Sequence, residues 1–403
     1  MLVPLADAVA ATCGGKAGTL GRLTRAGLPV PDGVVVPFAV YRAVTNPTDP
    51  LPPALTHALA DALAALGDPP VAVRSSADDE DTPDASAAGQ HDTVLAARGL
   101  AQVTAAVRTC WASLRSPRAV AYRAARSGAE PVMAVLVQRL VDAQVAGVLF
   151  TPGPRDATTR IEASWGLGAS VVGGTVTPDA YVVTRDGAVV RRVADKRTRV
   201  DRRGAGVATS DVPDADRRRP TLDDAAARAL ARLGGRVAAA LGGVRDVERA
   251  LDVEWALVDG EPWILQARPV TADAPASAPP PSAPSSTTLT GTTTLTGTPG
   301  SRGTATGPAR VVRGPGDFAR VRRGDVLVCP WTDPAWTPLL HLAAGVVTET
   351  GGVLSHAAIV ARERGIPAVL GVPDATTALR AATTVTVDGD AGTVTTLRSE
   401  DHP

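Results

Sequence analysis

Aromatic residues and cysteines are scarce in this chain of 403 residues: Phe, Trp and Tyr together make up 3% of it, and there are three cysteines. Cys13, Cys110 and Cys329 lie at spacings that fit neither a disulfide framework nor a zinc site. No apolar run approaches the roughly 20 residues that span a bilayer, and the N-terminus lacks the pattern of a signal peptide. These absences favour a protein of the reducing cytoplasm.

The chain also lacks an excess of charge of either sign. Lys and Arg number 41, Asp and Glu also number 41, and the formal net charge is zero. Such a balance gives no overall attraction to nucleic acid or to an anionic membrane, so we expect neither as a partner. Any polyanion that the protein binds must be held by a local cluster of cations.

A segment poor in large apolar residues divides the sequence. Residues 271–299 consist almost entirely of Pro, Ala, Ser, Thr and Gly, a composition that cannot bury enough apolar surface to fold. We therefore predict a linker at 271–299 between an N-terminal domain, 1–270, and a C-terminal domain, 300–403. A linker of this kind is either a passive tether or a device that permits one domain to move.

Mixed strand and helix patterns in residues 1–270 predict an α+β fold. A hairpin is expected over 252–270, where alternating strands flank a turn at Asp259-Gly260. In residues 300–403, short strands surround a helix that opens at His356, which predicts a small α/β domain.

His356 stands at the expected first turn of that helix, after Ser355 in the N-cap position, and Gly365 ends the helix. A helix N-terminus carries partial positive charge, which lowers the pKa of a histidine and attracts anions such as phosphoryl groups. Gly351 and Gly352 permit close approach of the backbone. From the residues alone, His356 is a structural histidine or a phosphoryl carrier. A metal site is less favoured because no second ligand lies at a suitable spacing.

Two stretches of the N-terminal domain are suited to phosphate. Lys16 follows two glycines and precedes a helix in CGGKAGTLG, although the spacing is not that of a Walker A loop. Arg74 ends an apolar strand and is followed by a very acidic loop, which on composition alone is equally well a solvated surface.

The predicted hairpin at 252–270 offers a third polar group. Glu254 lies on one strand, and Gln266 and Arg268 share one face of the other. A carboxylate and an amide oxygen beside an arginine suit a magnesium-bound triphosphate, whereas the alternative is an ordinary exposed hairpin face.

Taken together, these motifs resemble the superfamily of phosphoenolpyruvate synthase, pyruvate phosphate dikinase and rifamycin phosphotransferase. The resemblance is carried, in chain order, by GGKAGTLG, VAVRSSADDEDTPDASAAGQHDT, CWASLRSPRAVAYR, AGVLFT, ASWGLGASVVGG, DVEWA, ILQARPV and TETGGVLSHAAIVARERGIPAVLGV. It implies an ATP-grasp nucleotide-binding domain at 1–270 and a swivelling phosphohistidine domain at 300–403.

The resemblance also implies roles for eight residues, with ATP and Mg²⁺ as the cofactors. Lys16, Arg74 and Arg123 would hold the ATP phosphates, and Gln138 lies in the strand that would line the adenine pocket. Glu254 and Gln266 would bind magnesium, Arg268 would contact the transferring phosphate, and His356 would be the nucleophile. His356 would then take the β-phosphate of ATP, leave AMP, and pass the phosphate to an acceptor.

The sequence departs from the family pattern at two places near the expected nucleotide site: Ala169 stands where relatives usually carry Glu, and Ala87 where an aromatic residue is common. The sequence also shows neither the barrel nor the intermediate domain that binds the acceptor in relatives. Three functions follow as alternatives. The first is a phosphotransferase acting on a small-molecule acceptor, such as a secondary metabolite or antibiotic. The others are half of a split system that delivers phosphate to an acceptor domain on a partner chain, and a non-catalytic nucleotide-binding module.

Overall fold

The computed structural model describes residues 1–44, 49–78, 92–116, 119–120, 131–153, 156–242, 250–270, 286–289, 292–379 and 384–396. Within these ranges, the strands form three sheets and one separate two-stranded hairpin. No helix in the described part of the chain is long and apolar enough to cross a bilayer.

The first sheet has five strands in the spatial order β1-β2-β5-β3-β4. Their bounds are β1 Val3–Pro4, β2 Gly33–Val36, β3 Val71–Ala77, β4 Thr93–Ala97 and β5 Met133–Arg139. The helices of this part are α1 Ala10–Arg25, α2 Phe38–Arg42, α3 Pro53–Leu66 and α4 Gly99–Ser113. The buried faces of α3 and α4 pack on β3 and β5 around Trp111, so the apolar strand runs of the sequence are covered on that side.

The second sheet has six strands in the order β13-β12-β6-β7-β8-β9, and β10 and β11 form the separate hairpin. Their bounds are β6 Val145–Phe150, β7 Thr159–Trp165, β8 Asp179–Val183, β9 Val189–Arg192, β10 Thr198–Arg203, β11 Gly206–Asp211, β12 Leu251–Val258 and β13 Glu261–Pro269. Three helices belong to this part: α5 Ala169–Val172, α6 Asp214–Arg217 and α7 Asp224–Leu241. A continuous core joins α1, α7 and both sheets, so the N-terminal region has mixed α+β architecture.

The third sheet lies in the C-terminal region and has nine strands in the order β14-β15-β22-β21-β17-β18-β19-β20-β16. Their bounds are β14 Ser286–Leu289, β15 Thr292–Thr296, β16 Thr298–Ser301, β17 Thr304–Val311, β18 Val326–Cys329, β19 Gly345–Thr348, β20 Ala368–Leu370, β21 Thr384–Asp388 and β22 Thr393–Thr396. Strands β17 to β20 are parallel neighbours, whereas the outer strands pair antiparallel. The helices here are α8 Thr337–Leu340, α9 His356–Arg364 and α10 Ala375–Ala378.

Part of the segment expected to be a linker is folded. Residues 271–285 lie outside the described residues, but β14, β15 and the start of β16 fall within 286–299. The physical reason is that this half is rich in threonine, which favours strands, and carries Leu295, which is buried beside Val394. Composition alone missed this because the strands depend on pairing with β22 and β20, far along the chain.

Candidate functional site

The register of the second sheet gathers polar side chains on one face. One row across β13, β12, β6 and β7 contains Gln266, Glu254, Val148 and Glu162 as direct partners. The adjacent row contains Arg268, Asp252, Phe150 and Arg160. Since paired residues point to the same side of a sheet and i and i+2 residues share a face, both rows belong to one surface. The hairpin predicted at 252–270 is therefore present, with its polar residues on a common face.

A β-bulge in β13 directs part of this surface towards Arg74. The register shifts at Glu254/Trp255, so Leu265 is left without a partner on β12. The Leu265 carbonyl accepts a hydrogen bond from Arg74 Nη1, while Arg74 Nη2 donates to Gln266 Oε1 at 2.6 Å and to Glu254 Oε2 at 3.3 Å. One guanidinium therefore holds the carboxylate and the amide oxygen close together.

The turn before Lys16 is fixed by a close contact with β3. Gly14 has a φ of 80°, and a Cβ atom there would lie 2.2 Å from the Ser76 carbonyl oxygen, so only glycine fits. Ser76 Oγ donates to the Cys13 carbonyl at 2.7 Å and accepts from the Ala17 N–H at 3.1 Å. The non-helical Gly14 divides α1, and the part that follows it lies against β3, with Lys16 and Arg74 both at the wall of a cavity.

That cavity lies between the first and second sheets and has a volume of about 390 Å³, within the range of small-molecule sites. Its lining has a charged end and an apolar end. The charged or polar lining residues are Lys16, Arg74, Thr93, Gln138, Arg139, Glu254, Gln266 and Arg268, and the apolar ones include Ala72, Leu95, Leu140, Val141, Ala143, Leu167, Val172 and Leu265. This division suits a ligand with one flat apolar group and one polyanionic group.

Gln138 and Ala169 also line the cavity. Gln138 is buried, and its Nε2 donates to the Pro31 carbonyl at 2.9 Å, so this side chain fixes the wall of the apolar end. Ala169 is the first residue of α5, which places this departure from the family pattern at the cavity itself. The other departure, Ala87, lies outside the described residues.

Arg268 has a buried partner that the sequence reasoning missed. Its Nε donates to Asp252 Oδ2 at 3.0 Å, and its Nη2 lies 2.9 Å from the same oxygen. The other oxygen, Asp252 Oδ1, is buried and has no hydrogen-bond partner among the described residues. Burial raises the pKa of Asp252, and the nearby Arg268 opposes that shift. The turn alone would pair Asp252 with Ala267, and the β-bulge at Leu265 shifts the register so that Asp252 pairs with Arg268.

His356 is the first residue of α9 and is 5% exposed. Its Nδ1 lies 3.0 Å from Thr332 Oγ1, whereas its Nε2 is buried with no hydrogen-bond partner among the described residues. Burial, assisted by the charge of Arg268, lowers the pKa of His356 to about 4. The imidazole is therefore neutral at pH 7, oriented by Thr332, and keeps an unengaged nitrogen. Thr332 was also missed by the sequence reasoning, since 24 residues separate the pair.

The helix start differs in detail from the expectation. Ser355 occupies the N-cap position, but its side chain makes no capping bond to the helix. Instead, Ser355 Oγ donates to the Gly352 carbonyl at 2.8 Å and so closes the turn before His356.

This turn docks on the polar face of the second sheet. Glu162 Oε1 accepts from the Val353 N–H at 2.7 Å and Oε2 accepts from the Leu354 N–H at 3.1 Å. Thr350 Oγ1 donates to the Gly174 carbonyl at 2.6 Å. Together these contacts bring the histidine-bearing turn over the sheet that carries Glu254 and Arg268.

An apolar cluster continues the same interface. Leu354 packs with Val148, Phe150, Val171 and Val176 of the N-terminal region. Burial raises the pKa of Glu162, while the backbone N–H groups of Leu354 and Val353 and the charges of Arg192 and Arg362 oppose that shift. Glu162 is a further residue that the sequence reasoning missed, because its position follows only from the pairing of β7 with β6.

Six of the eight residues singled out from the sequence surround the cavity: Lys16, Arg74, Gln138, Glu254, Gln266 and Arg268. His356 does not line the cavity, but the charge of Arg268, which does, contributes to the lowered pKa of His356. Arg123 lies outside the described residues. No group of three or more His, Cys, Asp or Glu side chains converges as a metal site in the described ranges.

The α+β region thus contains a cavity of small-molecule size, and the region that carries His356 docks on the sheet that supplies the charged residues of that cavity. Residues 47–287 match the family described as pyruvate phosphate dikinase, AMP/ATP-binding domain, and residues 321–392 match PEP-utilising enzyme, mobile domain. The first match covers more than half of the chain. The chain therefore belongs to the pyruvate phosphate dikinase family.

Curated relatives support this membership. The chain is 35% identical over 427 residues to a probable phosphoenolpyruvate synthase of Methanothermobacter thermautotrophicus, an alignment that covers 94% of this chain and 61% of the relative. It is 35% identical over 461 residues to phosphoenolpyruvate synthase of Aeropyrum pernix, with 94% and 56% covered. For phosphoenolpyruvate synthase of Deinococcus radiodurans the identity is 37% over 374 residues, with 87% and 47% covered. The chain thus spans about half to three-fifths of the length of these relatives.

Proposed function

We propose that this chain transfers the β-phosphate of ATP to His356 and then to a small-molecule acceptor, with release of AMP and phosphate. One observation carries the proposal: His356 is buried, neutral at pH 7 and held through Nδ1, and its unpartnered Nε2 is on the domain that docks at the charged end of the cavity. A structural histidine at a buried position would be expected to use both ring nitrogens.

In this proposal the apolar end of the cavity takes adenine, and Gln138 shapes its wall. Lys16 and Arg74 contact the phosphates, and Arg123 joins them by the family pattern. Arg268, held by Asp252, contacts the phosphate in transfer, because a guanidinium matches the geometry of phosphate oxygens. Positioning and charge neutralisation are the main contributions that such a site can make to phosphoryl transfer.

The donor set fits magnesium. Glu254 and Gln266 are direct partners across β12 and β13, and Arg74 already draws one oxygen of each to a single point. Mg²⁺ uses one or two protein oxygens together with phosphate oxygens and waters, so two protein ligands suffice. When bound, the ion would neutralise charge on the phosphates.

In the first step of this reaction, His356 is the nucleophile and AMP is the leaving group. The Nε2 lone pair forms a bond to the β-phosphorus of ATP, and the bond between that phosphorus and the oxygen shared with the α-phosphate breaks, which releases AMP. The γ-phosphate is then lost from the protein-bound diphosphate to water, leaving one phosphoryl group on His356. The helix N-terminus at His356 favours the added negative charge.

Pyruvate is the first acceptor to test, because the relatives are named as phosphoenolpyruvate synthases. The acceptor itself would be phosphorylated after the histidine domain has left the nucleotide cavity, since the docked Nε2 is enclosed.

The test is to incubate the protein with magnesium and ATP labelled at either the β- or the γ-phosphate, without acceptor, and to use His356→Ala as the control. The expected result is AMP together with acid-labile label on the wild type, from β-labelled ATP only. Production of ADP, or binding of ATP without label transfer, would contradict the proposal and leave a nucleotide-binding role.

A further inference from the structure

Arg362 ties the histidine-bearing turn to its helix. It lies six residues after His356 in α9, and its Nη1 donates to the Val353 carbonyl at 2.8 Å and to the Gly300 carbonyl at 2.9 Å. The Val353 N–H, on the same residue, donates to Glu162. The guanidinium therefore fixes the peptide that meets the other domain, and it also joins this peptide to the end of β16.

Arg362 also faces the two buried carboxylates of the docking surface. Glu162 and Asp252 both raise its pKa, but burial, the largest cause, lowers it to about 10, so the guanidinium stays charged at pH 7. The charge of Arg362 in turn lowers the pKa values of Glu162 and Asp252, which burial raises. Its Nε is enclosed and has no hydrogen-bond partner among the described residues.

The other cations that act on these carboxylates belong to the nucleotide-binding domain. Arg192 acts on Glu162 from β9, and Arg268 pairs with Asp252 across the hairpin. Both belong to the same domain as their carboxylates, although Arg192 Nη2 also donates to Thr298 Oγ1 of the C-terminal region at 2.8 Å. Arg362 differs because it is carried by the histidine domain, so its attraction to Glu162 and Asp252 exists only in the docked arrangement.

We propose that Arg362 is a positioning residue for the first phosphoryl transfer. It holds the turn before His356 so that the N–H groups of Val353 and Leu354 meet Glu162, and it supplies the mobile cation that the two buried carboxylates attract. This inference rests on the proposed function, in which His356 receives phosphate while docked. Arg362 does not line the nucleotide cavity, so it acts on the position of His356 and not on ATP affinity.

The test compares Arg362→Gln and Arg362→Lys with Arg364→Gln, a matched control two residues along the same helix, where the arginine is exposed. The first measurement is the single-turnover rate of β-label transfer to His356, together with the Kd for ATP. We expect the Gln variant to be slower by about 30-fold with unchanged Kd, since small displacements of reacting groups cost up to about a hundredfold. The Lys variant should recover part of the rate, and the control should match the wild type.

The second measurement is amide hydrogen exchange at Val353 and Leu354, which does not depend on phosphoryl transfer. Faster exchange in Arg362→Gln, with no change in Arg364→Gln, supports the proposal. Unchanged exchange, an unchanged rate, or a loss of ATP affinity equal to the loss of rate overturns it. If the wild type takes up no label, the proposed function fails, but the exchange comparison still decides whether Arg362 holds the docked turn.

Discussion

Gly352→Ala isolates the contact between the two domains. A Cβ atom at residue 352 would lie 2.3 Å from Glu162 Oε1 and 2.4 Å from Oε2, far inside any real contact distance. Gly352 does not have a positive φ, so alanine can adopt its backbone conformation. The substitution therefore acts through the buried carboxylate and not through strain in the turn itself.

The magnitude follows from the two hydrogen bonds that the methyl group displaces. Glu162 accepts from the N–H groups of Val353 and Leu354, and hydrogen bonds to charged groups contribute about 1.5–3 kcal/mol each. Losing both would weaken docking by about 3–6 kcal/mol, which is a factor of about 10² to 10⁴ in the ratio of docked to undocked protein. The rate of label transfer falls only once the docked form is no longer the more populated one, so we expect this rate to fall by at least about tenfold.

The assay is the single-turnover rate of β-label transfer to His356, with ATP binding measured separately. ATP affinity should not change, because Gly352 does not line the cavity. Gly235→Ala in α7 is the control, since a Cβ atom there meets nothing within 4 Å and alanine favours the helix. Transfer at the wild-type rate in Gly352→Ala would refute the conclusion that the Glu162 contact aligns the two domains.

Three further outcomes are expected. Thr332→Val removes the partner of His356 Nδ1 at nearly constant volume, and label transfer should slow by about tenfold, measured with unchanged ATP affinity. Arg74→Lys cannot reproduce the fork to Leu265, Gln266 and Glu254, and the Kd for ATP measured by calorimetry should rise by about tenfold. Because the pKa of His356 is about 4 in the folded chain and near 6.5 when unfolded, its neutral form supports folding fully above pH 6.5, and this support is lost as the pH falls towards 4. At pH 5 the loss is about 2 kcal/mol, so the difference in free energy of unfolding between wild type and His356→Gln should change by about that amount between pH 7.5 and pH 5 in urea titrations.

The sequence was most informative where structure is local. The hairpin turn at Asp259-Gly260, with φ of 51° and 83°, fixes the pairing of Val258 with Glu261. Continued without a bulge, that register would pair Glu254 with Leu265, so the pairing of Glu254 with Gln266 depends on the β-bulge and was not predictable from the turn. The helix from His356 to Gly365 was predictable because its boundary residues are neighbours in sequence. A helix after Lys16 was also predicted, but α1 already begins at Ala10 and is interrupted at Gly14. The order of motifs along the chain then identified the family before any geometry was known.

Contacts between distant segments were not predictable. Thr332 reaches His356 through the adjacency of parallel strands, and Glu162 reaches Leu354 through the order of strands in a six-stranded sheet. Neither residue carries a local signal, because a threonine after a strand and a glutamate within one are ordinary. Strands β15 and β16 were missed on similar grounds, since their partners β22 and β20 lie about 70 to 100 residues along the chain.

The docking surface has the composition that a reversible contact requires. A large apolar interface would hold the histidine domain in place, but here the buried apolar cluster comprises only Val148, Phe150, Val171, Val176 and Leu354. Polar contacts make up much of the remainder, among them the hydrogen bond from Thr350 to the Gly174 carbonyl and those to the Glu162 carboxylate, whose raised pKa reflects the cost of removing it from water. When the domains separate, water can solvate Glu162 again and offset part of the lost hydrogen bonding. The carboxylate thus specifies where the turn docks, while its desolvation cost limits how tightly the turn is held, and both properties suit the proposed function, in which the histidine leaves the nucleotide after phosphorylation.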